Sequence, residues 1–273
     1  MIGNFFKNHT LSFICCCTLT FNASASDDYI LEIGMGAAAG QLPEYLGSPD
    51  TYEFLLPLPY IYYRDESLTI NRNTLSDELY QLGPLSLSLS ASGSIPVKSR
   101  EDSLRSGMPD LGWVGELGPS LDYQIMPELT LALQLRKAIG VEDWSFKDVG
   151  WHASTTLIWH KILFVHNNLG ELSISSRLSL DYADRNYHQY YYGVALEHQT
   201  LNRPLYEAKA GFSHSGMALG LSWRYQQLWL GVYAKYFDLS RAANFSSPLL
   251  VNKQQASFGL AFSWIFWTNN KGR

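Results

Sequence analysis

Leucine and serine take turns along "LSLSLSAS" (85–92), so that Leu85, Leu87, Leu89 and Ala91 share one face and the serines the other. A period of two is the signature of a half-buried strand. It returns in "LTLALQLR" (129–136), with four leucines opposing Thr130, Ala132, Gln134 and Arg136, and in "LSISSRLSLD" (172–181). "YEAKAGF" (206–212), "MALGLSWRY" (217–225), "LWLGVYAKY" (228–236) and "ASFGLAFSW" (256–264) follow the same rule, and few segments have a helical period.

Either a soluble sandwich or barrel, or a membrane barrel whose apolar face meets lipid, can bury one face of so many strands. The polar face separates them. A soluble barrel turns dense Lys and Glu to water, whereas this chain places Ser, Gly, Ala and Thr there with occasional charges, which suits a lumen. Its 8 Trp, 17 Tyr and 13 Phe include many near strand ends (Tyr29, Tyr60, Trp113, Tyr123, Trp151, Trp159, Tyr225, Trp229, Trp264), where membrane barrels carry interfacial girdles. In "SFGLAFSWIFW" (257–267) Phe258, Leu260, Phe262, Trp264 and Phe266 alternate. This resembles the C-terminal strand that outer-membrane assembly machinery recognises, although the polar "TNNKGR" follows it.

The expected fold is therefore all-β, a transmembrane antiparallel β-barrel of about 12 strands, within about 10–14. Short connections at 124–128, 214–216 and 226–227 contrast with long polar ones at 93–112, 138–150 and 238–255, as expected of periplasmic turns and outer loops. The segment 68–81 could add a hairpin. "FLLPLPYIYY" (54–63) reads as a lipid-facing strand in which Pro57 and Pro59 both lack a ladder N–H, so a bulge or a break in pairing is expected near 57–59.

Residues 1–25 read as a cleaved export signal: Lys7, an apolar stretch at 11–21, then Ala23-Ser24-Ala25. Their removal leaves 248 residues, 26–273, as one barrel domain with no cysteine and a net charge near −6. No basic stripe suits nucleic acid. The longest apolar run in the mature part is far short of the roughly 20 residues of a spanning helix. Outer-membrane lipid is the expected surrounding, in a Gram-negative envelope.

Candidate chemistry is sparse. His214-Ser215-Gly216, His152 with Ser154, and His160 or His166 are the groups a barrel enzyme acting on lipid could use. However, no G-x-S-x-G elbow and no metal-ligand spacing occur. No catalytic residue, cofactor or metal ligand is assigned. Arg136, Arg177, Asp181, Glu207, Lys209, Arg224 and Lys235 fall on the inferred lumen face, either as a polar pathway or as ion pairs filling a narrow barrel. "SREDSLR" (99–105) reads as a solvated loop.

Six segments in order, "PEYLGS" (43–48), "LPLPYIYY" (56–63), "GELGPSLDY" (115–123), "YYYGV" (190–194), "DLSRAANFSSPL" (238–249) and "GLAFSWIF" (259–266), resemble the MipA/OmpV family of MltA-interacting outer-membrane proteins. The resemblance implies a non-enzymatic barrel serving as a scaffold between lytic transglycosylases and peptidoglycan synthases. A channel or solute-responsive porin-like protein is the alternative. A periplasmic partner would be expected to touch the short turns and the tail with Lys271 and Arg273.

Overall fold

The computed structural model describes residues 30–64, 68–71, 74–142 and 145–269. Within them the strands are β1 (Ile30–Pro43), β2 (Thr51–Arg64), β3 (Leu68–Asn71), β4 (Thr74–Leu82), β5 (Leu85–Ser94), β6 (Trp113–Met126), β7 (Leu129–Glu142), β8 (Ser145–His166), β9 (Gly170–Ala183), β10 (Gly211–Tyr225), β11 (Leu228–Asp238) and β12 (Gln254–Thr268). One helix, α1 (Arg185–Tyr192), lies between β9 and β10. Each strand pairs antiparallel with the next, and β1 pairs with both β2 and β12, so the sheet closes on itself. Closure pairs the strands around the ring, the condition for strands to cross a bilayer.

The alternation sorts itself as a membrane barrel requires. On β7, Leu133 and Leu135 are exposed while Ala132, Arg136 and Ala138 are buried. On β12, Phe258, Leu260, Phe262, Trp264 and Phe266 point outward, with Gln255, Ser257 and Ser263 buried inside. Small inner residues let the wall curve. At Gly36 of β1 a Cβ would collide with the Phe262 carbonyl oxygen of β12. Gly118 of β6 is as tight, because a Cβ there would collide with the Leu135 carbonyl oxygen of β7.

Several expectations need correction. The 68–82 hairpin is among the twelve strands rather than additional to them. The stretch 138–150 is not a long loop, because β7 runs to Glu142 and β8 starts at Ser145. His214, Ser215 and Gly216 form no turn; they lie inside β10, which continues unbroken to Tyr225. Residues 206–210 are not strand, and Tyr206 forms only an isolated bridge with Val194. No bulge marks the prolines on the β1 side, where Pro57↔Ala37 and Pro59↔Met35 stay in register. On the other side, the described pairs of β2 with β3 are Tyr63↔Ile70 and Arg64↔Thr69, so pairing stops short of the prolines. Tyr60 is no girdle residue but is buried against Glu32. The export signal, Tyr29, Lys271 and Arg273 lie outside the described residues.

The long connections, 44–50, 95–112, 184–210 and 239–253, all leave one end of the barrel, and the turns 83–84, 127–128, 167–169 and 226–227 close the other. By the rule for such barrels the first end is the outer one. The apolar core sits there: Tyr45, Val97, Leu111, Tyr192, Leu239, Ala242 and Leu250 pack together as a cap across the mouth.

Candidate functional site: a plugged lumen under a packed cap

Helix α1 is fixed by its ends. The Asp184 carboxylate accepts the Tyr187 N–H at 2.8 Å and its own N–H donates to the Trp151 carbonyl of β8 at 3.0 Å, an N-cap that also anchors the helix to the wall. Gly150, at φ +125°, leaves the space that this approach needs. At the far end the Gly193 N–H donates to the Gln189 carbonyl. Eight residues are too few for an isolated helix, so side-chain contacts hold it. Tyr187 stacks on His152, with ring centroids 5.2 Å apart. The hydroxyl groups of Tyr191 and Ser94 lie 3.2 Å apart, and Tyr192 donates to the Leu46 carbonyl at 2.9 Å.

Below Tyr187 a charged chain crosses five strands, β6 to β10. Glu116 Oε2 accepts from Arg136 Nε at 3.0 Å and lies 3.0 Å from His152 Nδ1, while its Oε1 accepts the Tyr187 hydroxyl at 2.8 Å. His152 Nε2 reaches Asp181 Oδ1 at 3.1 Å, and Asp181 Oδ2 is 3.3 Å from His214 Nε2. Arg136 Nη2 lies 3.1 Å from the same His152 Nδ1, so the ring bridges both carboxylates and the guanidinium. Ser90 and Gln134 take further Arg136 hydrogens, and Ser179 donates to Asp181. All five side chains are nine-tenths buried or nearly so. Such a network is stable only when complete.

The cap is tied together over long sequence distances. Tyr45 donates to the Leu249 carbonyl at 3.0 Å, Ser247 to the Tyr192 carbonyl at 2.7 Å, and the Gly47 N–H to Gln255 Oε1 at 2.6 Å. Arg203 links two loops by donating to the carbonyls of Leu104, Ser106 and His198. Burial pushes the Tyr45 and Tyr191 phenols up to about 12. It also lowers Arg105, which is only 4% exposed and has an unpartnered Nε, so the segment 99–105 is not simply a solvated loop.

His188 is held differently. Its Nδ1 lies 2.7 Å from the Lys209 carbonyl, which can only accept, so Nε2 of the neutral ring accepts from Ser213 Oγ at 2.7 Å. Burial lowers its pKa. This is the His–Ser contact among the described residues, and the second nitrogen faces a backbone carbonyl instead of an acid. Ser154 donates to Gln134 and makes no contact with His152. No group of three or more His, Cys, Asp or Glu that could hold a metal occurs among the described residues.

Of the seven lumen charges expected from sequence, Arg136 and Asp181 join the network. Arg224 makes a bidentate pair with Glu32, at 2.7 and 2.9 Å, near the short-turn end. Glu207 and Lys209 stand in the outer loop instead, Glu207 pairing with Arg185. Arg177 and Lys235 remain on the wall. Sequence reasoning missed Glu116, Glu32, Tyr187 and His188. The two glutamates could have been found as single charges at inward positions of otherwise small-residue strands.

A family model described as MltA-interacting protein MipA matches residues 35–266. No match was found among curated proteins. Solved structures with some likeness include the NanC porin (8% identity, 86% of this chain and 98% of that chain, TM-score 0.38). Another is the Pseudomonas putida toluene transporter TodX (11%, 88% and 90%, 0.27). A third is Pseudomonas aeruginosa OccK5 (10%, 88% and 99%, 0.27). Likeness at that level carries no argument about what the chain does.

Proposed function

The chain belongs to the MipA family, and we propose on that premise that it is a non-enzymatic outer-membrane barrel that works as a scaffold, docking a lytic transglycosylase of the MltA type. The carrying observation is the filled outer mouth: α1, the Glu116–Arg136–His152–Asp181–His214 chain and the cap stand one above another, which favours a role at surfaces over free passage. The scheme takes residues 26–273 as the mature barrel, released from a signal at 1–25.

A partner in the periplasm needs a surface beyond the short turns. The tip of the β8–β9 hairpin offers one, because Ile162, Leu163, Phe164, Val165 and Leu169 are all exposed there, and five neighbouring apolar side chains in the open mark an interaction site. Capture of a purified MltA-type enzyme by the barrel in detergent tests this. Leu163→Asp with Val165→Asp should abolish capture while the barrel still migrates faster unheated than boiled. Undiminished capture by that variant excludes the hairpin. Failure of the unaltered barrel to capture the enzyme at all, or steady porin-sized conductance in planar bilayers, defeats the scaffold reading.

A further inference from the structure

Two cations inside the barrel meet no carboxylate among the described residues. Arg177 of β9 and Lys235 of β11 both sit opposite Ala218 of β10 in the ladder, so their Cα atoms are two strand spacings, about 10 Å, apart on one wall. Both point inward: the neighbours Leu178 and Tyr236 are exposed on the outer face, and the Lys235 ammonium lies 5.5 Å from the centroid of Tyr233, a ring that itself covers Gly259. Arg136, Arg224 and the lumen histidines each meet a carboxylate. Among the described residues neither Arg177 nor Lys235 does. Lys235 is nevertheless exposed and Arg177 half-buried, so water reaches this level of the lumen.

The surroundings give the pair a shape. Arg177 stands four residues, about 13 Å, below Asp181 along β9, so the charged chain and α1 roof it. Toward the short turns the inner rows of β9 and β10 hold small groups, Ser175 beside Gly220, then Ser173 beside Ser222, while β11 turns Tyr233 and Trp229 inward, and the Arg224–Glu32 pair lies beyond them. An ionisable side chain at membrane depth is costly unless something compensates it, and among the described residues no carboxylate does.

We propose that Arg177 and Lys235 form a binding site for a small oxyanion, a carboxylate or a phosphate, in the lumen beneath the charged chain and α1. Arg177 presents a planar fork that suits two oxygens of such a group, and Lys235 supplies a point charge across Ala218. The roof stops onward passage, so the site binds instead of conducting. This goes beyond the scaffold reading and stands independently of it.

The test is calorimetric titration of the folded barrel, in zwitterionic micelles at low chloride, with inorganic phosphate and separately with acetate. Binding of at least one should be detected, and it should weaken by about tenfold or more in Arg177→Gln/Lys235→Gln. Because that variant removes uncompensated charges, its unfolding midpoint should equal or exceed that of the unaltered protein. Three results would overturn the proposal: neither anion binding the unaltered protein, equal binding by the variant, or a variant that fails to fold and so marks the cations as structural. Lys235→Arg, which keeps the charge, should retain binding, and its loss there would equally refute the site.

Discussion

Replacing Glu116 with Gln tests whether the charged chain holds the plug. Gln keeps the shape and can still accept from the Arg136–His152 side while donating to the Tyr187 oxygen, so the main loss is charge. Two unit charges 4 Å apart at an effective dielectric near 20 attract by about 4 kcal/mol. Removing one partner of a buried pair costs about 3–5 kcal/mol. Because Gln keeps hydrogen bonds that Ala would lose, about 3 kcal/mol is expected. Guanidinium unfolding of the purified barrel in micelles, followed by tryptophan fluorescence, measures it. Limited proteolysis at Arg185 and Arg203 shows where the loss acts, since a loosened α1 exposes its loop while the wall persists. Arg136→Met should cost a similar amount, and Glu116→Gln/Arg136→Met clearly less than the sum, by about 1.5 kcal/mol or more. A Glu116→Gln cost below about 0.5 kcal/mol, or strictly additive behaviour, would refute the idea that these groups act as one unit.

His188 predicts a pH dependence of the plug. Its folded pKa lies below the free value near 6.5, so the unfolded chain binds the proton more readily. Its contribution is complete above pH 6.5 and is lost as the pH falls from there toward the folded value. His188→Gln should flatten the fall in unfolding midpoint between about pH 7 and 5; an unchanged slope would disprove the assignment. Phe262→Arg, on the lipid face of β12, should lower stability in bilayers by about 2–4 kcal/mol while Ser263→Ala costs far less, and equal effects would contradict the lipid-facing assignment.

The strands were legible because leucine and serine seldom alternate for any other reason. The register across β6–β10 was not, and it alone brings Glu116, Arg136, His152, Asp181 and His214 together. Arg136, His152, Asp181 and His214 could each be flagged in isolation, but a period of two says which face a residue takes and nothing about its height on the wall. Helix α1 escaped notice because "RNYHQYYY" is short and rich in tyrosine, a strand-favouring residue; its Asp184 cap and its contacts with β8 override that preference. The segment 138–150 looked like loop because it carries Glu142, Asp143, Lys147 and Asp148. Strands that project past the lipid are free to be polar. Residues 206–210 show the reverse error, an alternating pattern that packs against a helix instead of a neighbouring strand.

The cap also sets an order of events. Tyr45 and Leu249 are 204 positions apart, nearly as far in sequence as the paired residues of the two strands that seal the wall, β1 and β12. Contacts of such separation form late, since a long loop must close first. Until β12 pairs with β1, Tyr45, Tyr192 and Leu250 have no common interior to enter, and the outer loops stay open to proteases. Protease resistance of those loops should therefore arise only at the final step of insertion, making the cap a built-in timer that records whether the last strand has arrived.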